Sequence, residues 1–157
     1  MGARSSVEQR LAALGLAVPE APAPVAAYVP AVVTGSYVFT SGQLPFVDGK
    51  LPRTGKVGAE VSQEDAAELA RQCALNAIAA VKSVIDDLDR VVRVVKVVGF
   101  VASAPDFTGQ PFVMNGASEL LGEAFGDAGV HARSSVGVAV LPMDSPVEVE
   151  LVVEISN

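Results

Sequence analysis

The chain has one cysteine, one histidine and no tryptophan in 157 residues, and its 11 lysines and arginines are outnumbered by 18 aspartates and glutamates. Cys73 alone cannot close an intramolecular disulfide, and one histidine beside one cysteine leaves no ligand set of zinc-finger type. No structural metal and no cofactor are expected. A net charge of −7 with the cations scattered singly gives no basic stripe of the kind that binds nucleic acid by releasing counterions. No apolar run approaches the roughly 20 residues that span a bilayer, and the opening Met1-Gly-Ala-Arg lacks the apolar core of a secretory signal. The expectation is a cytoplasmic protein with neither a membrane nor a nucleic-acid partner. Met1-Gly2 with Ser6 meets the loose N-myristoylation pattern, which is short enough to arise by chance.

What is there is apolar material, half of all residues, in a length that suits one domain with its own core. Val7, Leu11, Leu14 and Leu16 predict a short amphipathic helix from Ser6, and the prolines of Pro19-Glu-Ala-Pro-Ala-Pro24 end it. Residues 1–22 therefore read as a helix and connector, and 23–157 as the domain proper. Two β-rich runs, from Tyr28 and from Tyr37, flank the hairpin signal Thr34-Gly35-Ser36. Residues 46–58 read as a long loop by their Pro, Gly and Asp content.

Ser62 caps a helix with acidic residues in its first turn, and Leu69, Cys73, Ala77, Ala80, Val81, Val84 and Leu88 follow at helical spacing. Arg90, Arg93 and Lys96 are also spaced as on a helix, but valine density decides for a strand over 89–101, since β-branched side chains pack well on a pleat. A second helix carries Phe112, Val113, Ala117, Leu120, Leu121 and Phe125 and stops at Gly126. Strands over 132–141 and 147–155 close the order β-β-α-β-α-β-β, an α+β domain with both helices on one face of the sheet. The other face then carries uncovered valines, which predicts a homo-oligomer.

Arg133 opens the first of these last strands. A guanidinium stays charged and offers a planar fork that fits a carboxylate, so Arg133 is a candidate anchor for a small carboxylate ligand. Equally, Glu148, Glu150 or Glu154 on the following strand could neutralise it within the chain. Glu148 by itself reads as an ion-pairing or surface carboxylate of an alternating strand. His131 reads as a solvated loop residue at a strand entrance, and Cys73 as a small hydrophobe on a buried helix face. Ser41-Gly42 lacks the Gly-x-Ser-x-Gly surround of a hydrolase elbow.

Ala132-Arg-Ser-Ser-Val-Gly-Val-Ala-Val-Leu-Pro142, followed by Val-Glu-Val-Glu, resembles the signature of the RidA/YjgF family of reactive-intermediate deaminases. Phe39-Thr-Ser-Gly-Gln-Leu-Pro45 is similar to that family's second strand and Ala27-Tyr28-Val to its first, so the resemblance runs from about Ala23 to the C-terminus. It implies a chorismate-mutase-like α+β fold and a homotrimer with three clefts between subunits. It further implies that Arg133 binds the carboxylate of an amino-acid-derived enamine or imine such as 2-aminoacrylate, which water converts to a 2-keto acid and ammonia. Glu148 would orient water or a proton, Tyr28 would wall the cleft from the neighbouring subunit, and Ser41, Gly42, Asn115 and Ser135 would contact substrate.

Ser135 and Gly137 stand where the family often has cysteine and glutamate. A non-catalytic trimer that binds small carboxylates or keto acids is therefore the alternative to the deaminase. Ribonuclease activity, the family's older designation, is opposed by the acidic charge and the absence of a histidine pair or basic groove.

Overall fold

The computed structural model of the chain describes residues 3–23 and 27–157. Met1 and Gly2, which carry the lipidation pattern, and Pro24, the last proline of the connector, lie outside the described residues. Helix α1 (Ser6–Ala13) is capped by Ser5, one residue earlier than the sequence suggested. Ser5 and Glu8 form a reciprocal capping box, and this frees Ser6 to donate its amide and hydroxyl to Asp89 at 2.8 and 2.6 Å. Val7 and Leu11 are buried in the core shared with the rest of the chain. Lys82 pairs with Glu8 beside them.

Five strands follow: β1 (Ala31–Thr34), β2 (Tyr37–Thr40), β3 (Val91–Ala102), β4 (Ala132–Val138) and β5 (Val147–Ile155). They form one mixed sheet in the order β1-β2-β5-β3-β4, with only β3 and β4 parallel. Parallel neighbours need a crossover, and helix α3 (Gln110–Phe125) supplies it. β1 starts at Ala31, not at Tyr28, because Pro30 has no N–H to give a ladder. β4 stops at Val138, short of the expected Leu141.

Helix α2 (Gln63–Ile85) begins as predicted, with the Ser62 hydroxyl accepting from the Asp65 amide at 3.1 Å. It ends at Asp86, so Leu88 reaches the core from a 3-10 turn (Leu88–Arg90) and Val84 is partly exposed. In α3, Phe112 lies off the apolar stripe and 62% exposed, one residue and about 100° round the helix from buried Val113. The two long helices meet at backbone distance: a Cβ on Gly116 would lie 1.9 Å from the Ala67 carbonyl oxygen.

Both helices lie on one face of the sheet. Along β5, Val147, Val149, Leu151, Val153 and Ile155 are buried beneath them, while Glu148, Glu150, Val152 and Glu154 point to the other face. In β3 the buried residues run Val91, Val94, Val97, a spacing of three. Register shifts against β5 between Val91 and Arg93 and between Val94 and Lys96 account for it, since each bulge inserts a residue into an otherwise alternating strand. The helix-like spacing of Arg93 and Lys96 is thus a product of bulges.

The bare face carries Val32, Phe39 and Val136, which are 52%, 47% and 44% exposed, among Glu148, Glu150 and Glu154. Among the described residues no helix is long and apolar enough to cross a membrane.

Candidate functional site

The residues singled out in the sequence fall into two groups, one on each face of the sheet. Register fixes this. Arg133 is opposite Val97 and Val97 opposite Leu151, so Arg133 shares the helix-covered face, whereas Glu148 is opposite Phe100 on the bare one. Two strands and three register steps separate them, about 14 Å in the plane of the sheet. Within one chain Arg133 and Glu148 do not meet, and the alternative reading, neutralisation of Arg133 by Glu148, Glu150 or Glu154, fails because all three point away from it.

On the helix side, edge strand β4 runs beneath the start of α3. Arg133 Nη1 donates to Asn115 Oδ1 at 3.0 Å and to Ser118 Oγ at 3.1 Å, and Nη2 donates to the Pro111 carbonyl at 3.3 Å. All three acceptors are neutral. Among the described residues no carboxylate pairs with this guanidinium. Its Nε–H has no hydrogen-bond partner among the described residues and Nη2 makes one bond for its two protons, so donors remain for a carboxylate. The first turn of α3 has no acidic residue, unlike that of α2, so helix end and arginine add potential of the same sign and favour an anion. Ser135, two residues along β4 on the same face, spends its hydroxyl proton on the Gln110 carbonyl at 2.8 Å.

Two residues of this group escaped the sequence reading. Ser118 follows Asn115 by three positions, so both project from the same side of α3; that spacing was the available signal. His131 is not a solvated loop residue: its Nδ1 is 2.6 Å from the Gly129 carbonyl and its Nε2 is 2.9 Å from Ser118 Oγ.

On the bare face, Glu148 lies against Gly42, where a Cβ would come within 2.7 Å of the carboxyl carbon. Glycine is what allows the carboxylate to fold over the end of β2. Burial pushes the Glu148 carboxyl above the ordinary range, and Glu150 on the same face adds repulsion. The Ser41 hydroxyl donates to the Val29 carbonyl at 2.6 Å and its amide donates to the Pro30 carbonyl at 2.8 Å. These bonds tie Tyr28, which is 63% exposed, to the end of β2. Glu148, Gly42, Ser41 and Tyr28 thus make the second group. Cys73 is fully buried in α2, where desolvation raises its thiol well above the usual value and rules out a ready thiolate. Among the described residues no three His, Cys, Asp or Glu side chains are grouped to hold a metal.

The chain matches the family model described as "YjgF/chorismate mutase-like, putative endoribonuclease" over residues 8–155. The chain belongs to the YjgF family. Protein TCP17 of Trypanosoma cruzi is 44% identical over 156 residues, 99% of this chain and 98% of that one. A 2-iminobutanoate/2-iminopropanoate deaminase of Salmonella typhimurium is 36% identical over 137 residues, 87% of this chain and 94% of the deaminase. The crystal structure of Atu1372 from Agrobacterium tumefaciens, a protein of unknown function, superimposes with a TM-score of 0.91 at 43% identity, covering 96% of this chain and 93% of the other. The α+β sheet with two long helices on one face is the chorismate-mutase-like fold of the YjgF family, as the sequence signature implied.

Proposed function

We propose that this YjgF protein is an imine/enamine deaminase acting on small amino-acid-derived 2-imino acids, in clefts between the subunits of a homotrimer. The observation that carries the proposal is the separation of the two groups. Arg133 stands on one face with neutral acceptors and no carboxylate partner among the described residues, and the carboxyl with the raised pKa stands on the other. A site that uses both takes Arg133, Asn115 and Ser135 from one copy and Glu148, Gly42, Ser41 and Tyr28 from a neighbour. The exposed valines and Phe39 of the bare face give copies a reason to associate.

The chemistry asks little of the protein. Arg133 fixes the substrate carboxylate, and an enamine takes a proton at carbon to become the imine. Water adds to the imine carbon, its proton passes to nitrogen, and the resulting carbinolamine collapses to a 2-keto acid and ammonia. Glu148, whose carboxyl burial pushes above the ordinary range, delivers and recovers the proton in these steps. Positioning and acid–base help are sufficient for a reaction of this kind. Support also comes from the relative named as a 2-iminobutanoate/2-iminopropanoate deaminase, whose substrates carry a carboxylate beside the imine.

The test is release of keto acid or ammonia from enzymatically generated 2-aminoacrylate and bulkier imines, with the intact chain beside Arg133→Ala. Acceleration lost in the variant supports the deaminase. Saturable binding of a keto acid, lost in Arg133→Ala but without turnover of any imine, identifies a non-catalytic trimeric binder instead. The observations favouring that second reading are Ser135, whose hydroxyl is committed to Gln110, and Gly137, which offers no side chain.

A further inference from the structure

We propose that His131 and Ser118 are positioning residues for Arg133, a relay that sets the orientation in which its guanidinium meets a carboxylate. The inference rests on the reading of Arg133 as the carboxylate anchor and extends it to two residues outside the proposed contact set.

The direction of each hydrogen bond follows from the partners. The Gly129 carbonyl can only accept, so the Nδ1 atom 2.6 Å away carries the ring proton. Nε2 of the neutral ring is then a bare acceptor, and the Ser118 hydroxyl 2.9 Å away donates to it. That leaves the lone pairs of Ser118 Oγ facing Arg133 Nη1, which donates to them at 3.1 Å. The chain of donors is Arg133 to Ser118 to His131 Nε2, while His131 Nδ1 is anchored on a backbone carbonyl. A serine inside a helix otherwise tends to donate to the carbonyl four residues back, here that of Met114. His131 withdraws Ser118 from that alternative and so keeps an acceptor on the Nη1 end of the guanidinium, which leaves Nε, without a partner among the described residues, for the ligand. His131 precedes β4 by one residue, and Gly129 is buried, so the relay is tied to the strand that carries Arg133.

The test is the affinity of the folded protein for pyruvate, followed by NMR titration, in wild type, Arg133→Ala, His131→Leu, His131→Gln, Ser118→Ala and the double variant Ser118→Ala/His131→Leu. Losing one oriented hydrogen bond weakens binding by about five- to tenfold. That loss is expected in His131→Leu and in Ser118→Ala. Glutamine places a carbonyl acceptor near the position of Nε2, so His131→Gln should bind within about twofold of wild type. The double variant should bind no more weakly than Ser118→Ala alone, since both substitutions cut the same relay. Wild-type affinity in His131→Leu, or additive losses in the double variant, would overturn the relay while leaving Arg133 as anchor. Wild-type protein that binds pyruvate no better than Arg133→Ala would remove the anchor, and the relay with it.

Discussion

The group around Arg133 and the group around Glu148 are built on opposite physical principles. Around Arg133 the protein supplies neutral acceptors, a helix start without acid, and a pair of N–H groups left free. Around Glu148 it supplies partial burial, a neighbouring carboxylate and a glycine that makes room for the side chain. One group is a cation kept without a carboxylate partner among the described residues, the other a carboxyl whose pKa is pushed upward. Placing them on the two faces of one sheet keeps each from quenching the other inside a chain. The comparison teaches that their reactivity is preserved by strand alternation rather than by distance along the sequence.

The largest expected effect comes from separating the two groups genetically. Arg133→Ala and Glu148→Gln should each lose imine hydrolysis by about a hundredfold or more, the order associated with a charge-assisted anchor or an acid–base group. Mixed by co-expression in equal amounts, they should recover about a quarter of wild-type sites, the chance that one intact Arg133 meets one intact Glu148 across an interface. No recovery in mass-verified mixed oligomers would mean that both residues serve the same chain.

Gly42→Ala sharpens the acidic side alone. Its Cβ would press on the Glu148 carboxyl group, so turnover should fall about tenfold or more while pyruvate affinity at Arg133 holds, because misplacement by a fraction of an ångström weighs on the chemical step. Equal losses in turnover and affinity would show that the two groups are not separable.

A smaller effect concerns stability. Since the folded-state pKa of Glu148 is raised, the protonated form favours the folded state, and stability declines as pH climbs from the ordinary carboxyl value through the raised one. Glu148→Gln should therefore melt above wild type beyond that window and level with it below. An unchanged melting difference across pH would remove the perturbed carboxyl from the comparison.

A last effect, on stability alone, lies away from both groups. Asp89, held below the usual carboxyl range by its bonds to Ser6, contributes stability that is present above the ordinary value and fades as pH falls through the depressed one. Asp89→Ala should cost about 1 kcal/mol by denaturant unfolding, as for a lost helix cap. Turnover should be unchanged.

Much of the architecture was legible because period and packing agree. The alternation of β5, the Ser62 cap and the stripes of α2 and α3 each state locally what the fold does globally. β3 was readable from its valines even though two bulges gave it a spacing of three. The division of the site was harder to read. The face of Glu148 follows from the valines around it, but in Ala132-Arg-Ser-Ser-Val-Gly-Val138 the apolar positions Ala132, Val136 and Val138 fall on the bare face, so their alternation would turn Arg133 away from the helices. Its face is fixed only by pairing with β3, a contact between residues 36 positions apart. His131 was misread for a related reason, since its partner Ser118 lies 13 residues away on another element. Tyr28 illustrates the opposite error, a β-rich run that Pro30 keeps from pairing.

The close seam at Gly116 ties the history of the scaffold to that of the site. Adding one methyl group there would force α2 and α3 apart by about 1 Å, and Asn115 and Ser118, one residue before it and two after it on the same helix, hold the guanidinium of Arg133. A side chain at Gly116 is therefore opposed twice, once by packing and once by the aim of the arginine. A lineage free to change what it binds would be expected to vary first at the rim of the bare face, and last along this seam.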